Sequence, residues 1–183
     1  MTPSSGELGE PEEIQWAGKF ITARTRGKWE YVSRAHGIRA AVILAIDADD
    51  HVLLVEQYRV PLGKRCLELP AGLIGDDAGA EDEDAAQAAG RELEEETGYR
   101  AERIEVIGEF YSSPGMVSES FTLVLAHGLS KVGPGGGTAS EDITVHRVAL
   151  AALPQFVETA RGRGLGIDVR LLMLLAPGII GMA

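Results

Sequence analysis

A chain of 183 residues, 45% hydrophobic and 25% charged, has the composition of an ordinary soluble globular protein and the length for one domain with a proper core. Its formal net charge of −11 excludes a general nucleic-acid binder, which needs a basic stripe to meet phosphates, but leaves open an anionic substrate screened by cations. With Cys66 as its single cysteine it can form no intrachain disulfide and suits a reducing, cytoplasmic compartment; no basic-then-apolar leader opens the sequence, and residues 171–183, interrupted by Pro177 and Gly178, are too short for a membrane span.

Residues 1–13 are polar and acidic and are expected to form a mobile tail. Residues 14–16, 19–24 and 28–32 read as short strands, with Arg26 and Gly27 as a turn. Three such strands cannot bury enough surface alone, so they need a partner in the main domain or a second subunit. Residues 40–47 and 51–58 are apolar β-branched runs separated by Ala48-Asp49-Asp50, a pattern that predicts a hairpin. Asp84 followed by Gln87 is a capping box, acidic residues 81–84 suit the positive end of a helix dipole, and Gly98 is a natural stop, so a helix is expected over 85–97. Strands follow at 103–111, 120–126 and 143–148, and helices at 151–161 and 168–175. Residues 131–140, carrying Gly133, Gly135, Gly136 and Gly137, predict a long flexible loop.

At about 100° per residue, Glu92, Glu95 and Glu96 share one face of the expected helix, while Ala86, Ala89 and Leu93 form a packing face. Clustered carboxylates repel, and a hard divalent cation, Mg²⁺ first, would relieve them. Spacing alone leaves a solvated acidic face as the simpler reading.

The run Arg91-Glu92-Leu93-Glu94-Glu95-Glu96-Thr97-Gly98-Tyr99 resembles the core of the Nudix box, G-x5-E-x7-R-E-U-x-E-E-x-G-U with U apolar, the signature of hydrolases that cleave a diphosphate linked to a nucleoside. Glu83 matches the first Glu and Gly72 the first Gly, with ten intervening residues in place of five; the surplus reads as a loop extension within residues 75–80. The resemblance implies an α/β fold, the Nudix α/β/α sandwich with a mixed β-sheet, over about 40–175, with a small antiparallel β-subdomain at 14–39 ahead of a hydrolase domain at 40–183. It also implies two or three Mg²⁺ ions, with Mn²⁺ as the alternative, held by Glu92, Glu95, Glu96 and the Ala71 carbonyl. Arg91, at i,i+4 from Glu95, and Glu83 would orient those glutamates.

Pro114 lies sixteen residues beyond Gly98, a spacing that marks the ADP-ribose pyrophosphatase branch. Glu56-Gln57-Tyr58-Arg59 is similar to the strand end before that branch's substrate cleft, and Glu141-Asp142-Ile143 resembles the acidic segment after its mobile loop. By this resemblance Arg59, Pro114 and Glu119 meet substrate, Glu119 through sugar hydroxyls. Glu141, or else Asp142 or Glu119, swings in as the base that takes a proton from water. Trp29 would stack on adenine, worth about 1–3 kcal/mol, or would join Trp16 in a dimer core; the branch implies a homodimer with exchanged N-terminal strands. The implied reaction converts ADP-ribose and water to AMP and ribose 5-phosphate. GDP-mannose or another nucleoside diphosphate sugar is the alternative substrate. A non-catalytic nucleotide-sensing module is the rival class, disfavoured because Arg91, Glu92, Glu95 and Glu96 are all present.

Overall fold

Which faces of each strand carry apolar side chains decides how the chain divides into layers. A computed structural model of the chain describes residues 9–35, 39–75, 83–138 and 141–179. Strands β1 (Glu12–Ala17), β2 (Ile21–Arg26) and β3 (Trp29–Arg34) form an antiparallel sheet in the order β1-β2-β3. Gly27, at φ 57°, makes the tight turn between the last two. β1 is exposed along its whole length, with Glu12 gathering Arg24, Arg26 and Tyr31. β3 ties this sheet to the rest: Val32 N–H donates to Met116 O and Ser118 N–H to Val32 O, each at 3.0 Å.

Strands β4 (Arg39–Ala45) and β5 (His51–Arg59) are joined by a turn at 47–50 with Asp50 at φ 57°. The expected hairpin does not form: apart from one bridge, Ile46 to Val52, the two strands part into different sheets. Ala41, Val42 and Ile43 are fully buried, as are Val52, Leu53, Leu54 and Val55, so both strands are covered on both faces, and each takes its hydrogen-bonded partners from strands other than the other. β4 lies between β7 (Ala71–Ile74) and β10 (Ser120–His127), parallel to the latter, and β9 (Arg103–Tyr111) completes the order β7-β4-β10-β9. β5 lies between β12 (Thr144–Ala149) and β6 (Lys64–Glu68), with β13 (Gly166–Ile167) parallel to β6 at the edge. The short pair β8 (Tyr99–Arg100) and β11 (Ser130–Lys131) links the turn after the first helix to the loop beyond β10.

Helix α1 (Ala85–Glu92) covers one side of these sheets; α2 (Leu153–Gly162) and α3 (Leu172–Ile179) cover the other. Alternation along β4 supplies both cores. Ala41, Ile43 and Ala45 pack with Leu53, Val124, Ala88, Ala89 and Leu93 on the α1 side, while Val42 joins Leu54, Leu67, Leu69, Leu153, Val157 and Leu171 on the other. The result is a mixed α/β/α arrangement with an appended antiparallel sheet. Asp84 caps α1 as expected: its Oδ1 accepts from Ala86 N and Gln87 N at 2.9 Å each, and Gln87 Oε1 accepts from Asp84 N at 3.2 Å. The packing face differs by one residue, because Ala88 is fully buried while Ala86 is only half-buried. Residues 1–8, the core of the loop extension at 76–82, and the tail end at 180–183 lie outside the described residues. Among the described residues no helix is long and apolar enough to cross a membrane.

Candidate active site

The helical segment spans the expected 85–97, but its last five residues, Leu93–Thr97, wind as a π-helical turn. Within it the Thr97 hydroxyl donates to the Leu93 carbonyl, the acceptor that the Thr97 amide would take in an α-helix. Gly98, at φ 71°, ends the turn.

This turn separates the glutamates. Glu96 is 3% exposed, and its Oε2 accepts from the Ala71 amide at 3.0 Å. Burial pushes its carboxyl up to about 8, against the hydrogen bond from Ala71, and the charges of Glu92 and Glu141 push the same way. Glu92 lies against β7, where Gly72 makes room: a Cβ there would collide with the Glu92 carboxyl. Glu95 is more exposed and sits 3.4 Å from Arg91 Nη1. Glu94 turns outward to a two-point pair with Arg100 at 2.9 Å. Arg91 is the hub, donating to Glu92 Oε1 at 2.9 Å and to both Glu83 oxygens and the Leu73 carbonyl at 3.4 Å. Among the described residues no three His, Cys, Asp or Glu side chains form a ready-made metal cage.

Glu92 and Glu96 open into a cavity of about 720 Å³, also lined by Ala71, Gly72, Arg59, Glu119 and Glu141. The cavity is also lined by guanidinium groups fixed by carboxylates. Arg59 makes a two-point pair with buried Glu68 at 2.7 Å, and Arg170 pairs with Asp168 at 2.6 and 2.7 Å while lying over the Phe121 ring at 5.6 Å. Glu119 is held by Arg34. Anion donors and carboxylates therefore line one space.

The described part of the glycine loop is docked on the end of the helical segment. Gly136 N–H donates to Glu96 O at 2.8 Å, Gly137 N–H to Glu95 O at 3.0 Å, and Val132 and Gly133 N–H to Gly98 O at 2.8 and 3.1 Å; Lys131 Nζ takes Thr97 O at 2.8 Å. These donors satisfy carbonyls that the helix end leaves open. Glycine is needed for the approach itself, since a Cβ on Gly135 would run into the Thr97 backbone and one on Gly98 into Gly133. Beyond this docked stretch, Glu141 Oε2 accepts from Thr138 N at 2.8 Å and Thr138 Oγ1 at 3.0 Å, and Glu141 is among the residues that line the cavity. Asp142, 88% exposed in its side chain, pairs instead with Arg65 at 2.8 Å.

Trp29 and Pro114 are together, but elsewhere. They line a second concavity of about 450 Å³ with Arg24, Arg26 and Tyr31, apart from the carboxylates. Sequence reasoning passed over Glu68, Arg170, Asp168, Arg34 and Thr97. Glu68 alone left a local signal, a charge between Leu67 and Leu69 in an otherwise apolar run; the others earn their places through partners distant in sequence or through a hydroxyl whose use is not visible in a motif.

The family model described as NUDIX domain matches residues 36–162. An uncharacterized Nudix hydrolase of Schizosaccharomyces pombe is 34% identical over 179 residues, covering 88% of this chain and 85% of that one. An ADP-ribose pyrophosphatase of Bacillus subtilis is 41% identical over 91 residues, covering 50% of this chain and 46% of its own length. The fission-yeast protein aside, the chain spans about half the length, or less, of the curated relatives it matches. A crystal structure described as an ADP compounds hydrolase superposes with a TM-score of 0.66 at 24% identity, covering 94% of each chain, which shows the shared fold.

Proposed function

The chain belongs to the Nudix family, and from that premise we propose that it hydrolyses the diphosphate of ADP-ribose to AMP and ribose 5-phosphate, using divalent cations held by the carboxylates of α1 and of the π turn that follows it. Glu96 carries the reading. A buried carboxyl pushed up to about 8, with Glu92 and Glu141 adding to the negative field, is relieved by a cation bound beside it. Glu92, Glu95, Glu96 and the Ala71 carbonyl are oxygen donors of the kind that Mg²⁺ or Mn²⁺ takes, so the residues present fit the ion. Once bound, the cations neutralise charge building on the phosphoryl oxygens and acidify a water molecule.

The chain's own groups do the rest. Arg59, fixed on Glu68, donates to the diphosphate. Arg91 orients Glu92 and Glu95. Glu141 accepts the proton of the attacking water as its oxygen bonds to one phosphorus and the bridging P–O bond breaks, the leaving phosphate keeping the electron pair. Glu119, held by Arg34, meets sugar hydroxyls. A cavity of about 720 Å³ has room for a nucleotide-sized ligand.

We also infer a homodimer. Ile14, Trp16, Phe20 and Trp29 are all more than half exposed on or beside the N-terminal sheet, an apolar surface that a second copy would cover, bringing Trp29 and Pro114 into a shared cleft beside the base. The free thiol of Cys66 agrees with a reducing, cytoplasmic setting. The reading is tested by following release of the nucleoside monophosphate from a panel of nucleoside diphosphate sugars, AMP from ADP-ribose and GMP from GDP-mannose among them, with Mg²⁺ varied. ADP-ribose should give the highest kcat/KM; a higher value for GDP-mannose would replace the substrate and keep the chemistry.

A further inference from the structure

Arg65, on β6, faces two ways. Inward, its Nε donates to Glu56 Oε1 at 2.9 Å and its Nη2 to the Glu56 carbonyl at 2.8 Å. Glu56 is buried and further fixed by His146 Nε2 at 3.1 Å and Arg163 Nη2 at 3.3 Å. Burial pushes the Glu56 carboxyl up, yet His146, Arg163 and Arg65 together hold it below the usual carboxylate range, so it is a permanent anionic root for the arginine. Outward, Arg65 Nη1 donates to Asp142 Oδ2 at 2.8 Å, and Nη2 reaches the Asp142 carbonyl at 3.1 Å and Thr144 Oγ1 at 3.3 Å.

The residue it grips is the neighbour of Glu141. On the other side of Glu141, Thr138 donates twice to its carboxylate, and Gly136 and Gly137 dock on the carbonyls of Glu96 and Glu95. The carboxylate is therefore held from both chain directions: by the helix end that carries the metal-binding glutamates, and by an arginine rooted in the core.

We propose that Arg65 is a positioning residue for the hydrolysis, holding Asp142 by backbone and side chain so that the Glu141 carboxylate stays beside Glu96 in the cavity. The proposal rests on the diphosphatase reading above, and it makes Asp142 a tether and not a base.

The test is a set of full-length variants assayed on ADP-ribose with saturating Mg²⁺. Arg65→Ala is expected to lower kcat at least about tenfold, within the roughly 10²- to 10⁴-fold that a placed base contributes, with KM little changed. Arg65→Lys should recover part of the loss. Asp142→Ala should lose less than Arg65→Ala, because the carbonyl contact survives. Arg163→Gln is the control: it strips a different donor from the same Glu56 without touching Asp142, and should keep the wild-type kcat even where it lowers Tm. Wild-type kcat in Arg65→Ala and Asp142→Ala, or an equal loss in Arg163→Gln, would overturn the proposal. Should the wild type release no AMP, it is the diphosphatase reading that fails. Amide hydrogen exchange at Thr138, Glu141 and Asp142 then decides the clamp: faster exchange in Arg65→Ala but not in Arg163→Gln supports it, and equal exchange sinks it.

Discussion

At the scale of single residues, Glu96 shows how an acidic side chain in a core reports its purpose. Folded, the metal-free protein holds this proton up to about pH 8, whereas an unfolded chain releases it near 4.5. Between those values the folded state binds more protons than the unfolded state, so stability is full below the lower value and falls as pH rises through the window. Glu96→Gln should abolish that fall and raise the stability of the metal-free protein at pH 8 by up to a few kcal/mol, at about 1.4 kcal/mol per tenfold change in proton affinity. Urea melts at pH 5 and pH 8 measure it; a variant no more stable than wild type at pH 8 would contradict the buried, proton-holding carboxyl. Gly72 gives a second residue-scale prediction. Its Cβ in Gly72→Ala would occupy the space of the Glu92 carboxyl, so kcat should fall about tenfold or more, as when groups that orient metal ligands are lost. Unchanged turnover would show that Glu92 need not lie there.

At the scale of elements, the Gly-rich loop and the end of α1 act as one piece. Gly135 sits at φ 71° with the Thr97 backbone where a Cβ would go, so Gly135→Ala should cost about 1–2 kcal/mol in backbone strain alone, and more through the collision. Amide exchange at Gly136 and Gly137 should quicken with it; protection equal to wild type would mean that the loop docks by other contacts. This element also marks where the sequence was and was not legible. The capping box of Asp84 and Gln87 and the stop at Gly98 are local chemistry, and both stand where they were expected. The π turn was not legible, because a threonine whose hydroxyl bonds the carbonyl four residues back is equally compatible with an α-helix. Glycine count suggested a mobile loop and gave no sign that those glycines serve close backbone contact. The β4–β5 turn was read correctly as a turn and wrongly as a hairpin: a short apolar run has the same sequence whether its partner is the next strand or another one, and here the two strands pair in different sheets.

At the scale of the whole molecule, the candidate site draws on several layers: Arg59 and Glu68 from one sheet, Ala71 and Gly72 from the other, Glu92 from the end of α1, Glu96 from the π turn that continues it, Glu141 from the loop before β12, and Arg170 from the turn before α3. The box residues were legible because one motif holds them together; the guanidinium lining was not, since Glu68 and Arg170 meet only after folding. The exposed N-terminal sheet leads to a prediction at this scale. Sedimentation equilibrium should give a dimer, and Trp16→Glu, which places a charge on that apolar face, should shift it toward monomer with a loss in kcat/KM for ADP-ribose. A wild-type monomer of full activity would contradict the shared cleft. The most direct measurement of all is AMP formation from ADP-ribose by wild type and Glu96→Gln, each titrated with Mg²⁺. Release by the wild type that rises with Mg²⁺ and falls by orders of magnitude in the variant, with its fold intact, is the expected result. Turnover in Glu96→Gln close to wild type, or release indifferent to divalent cations, would contradict it.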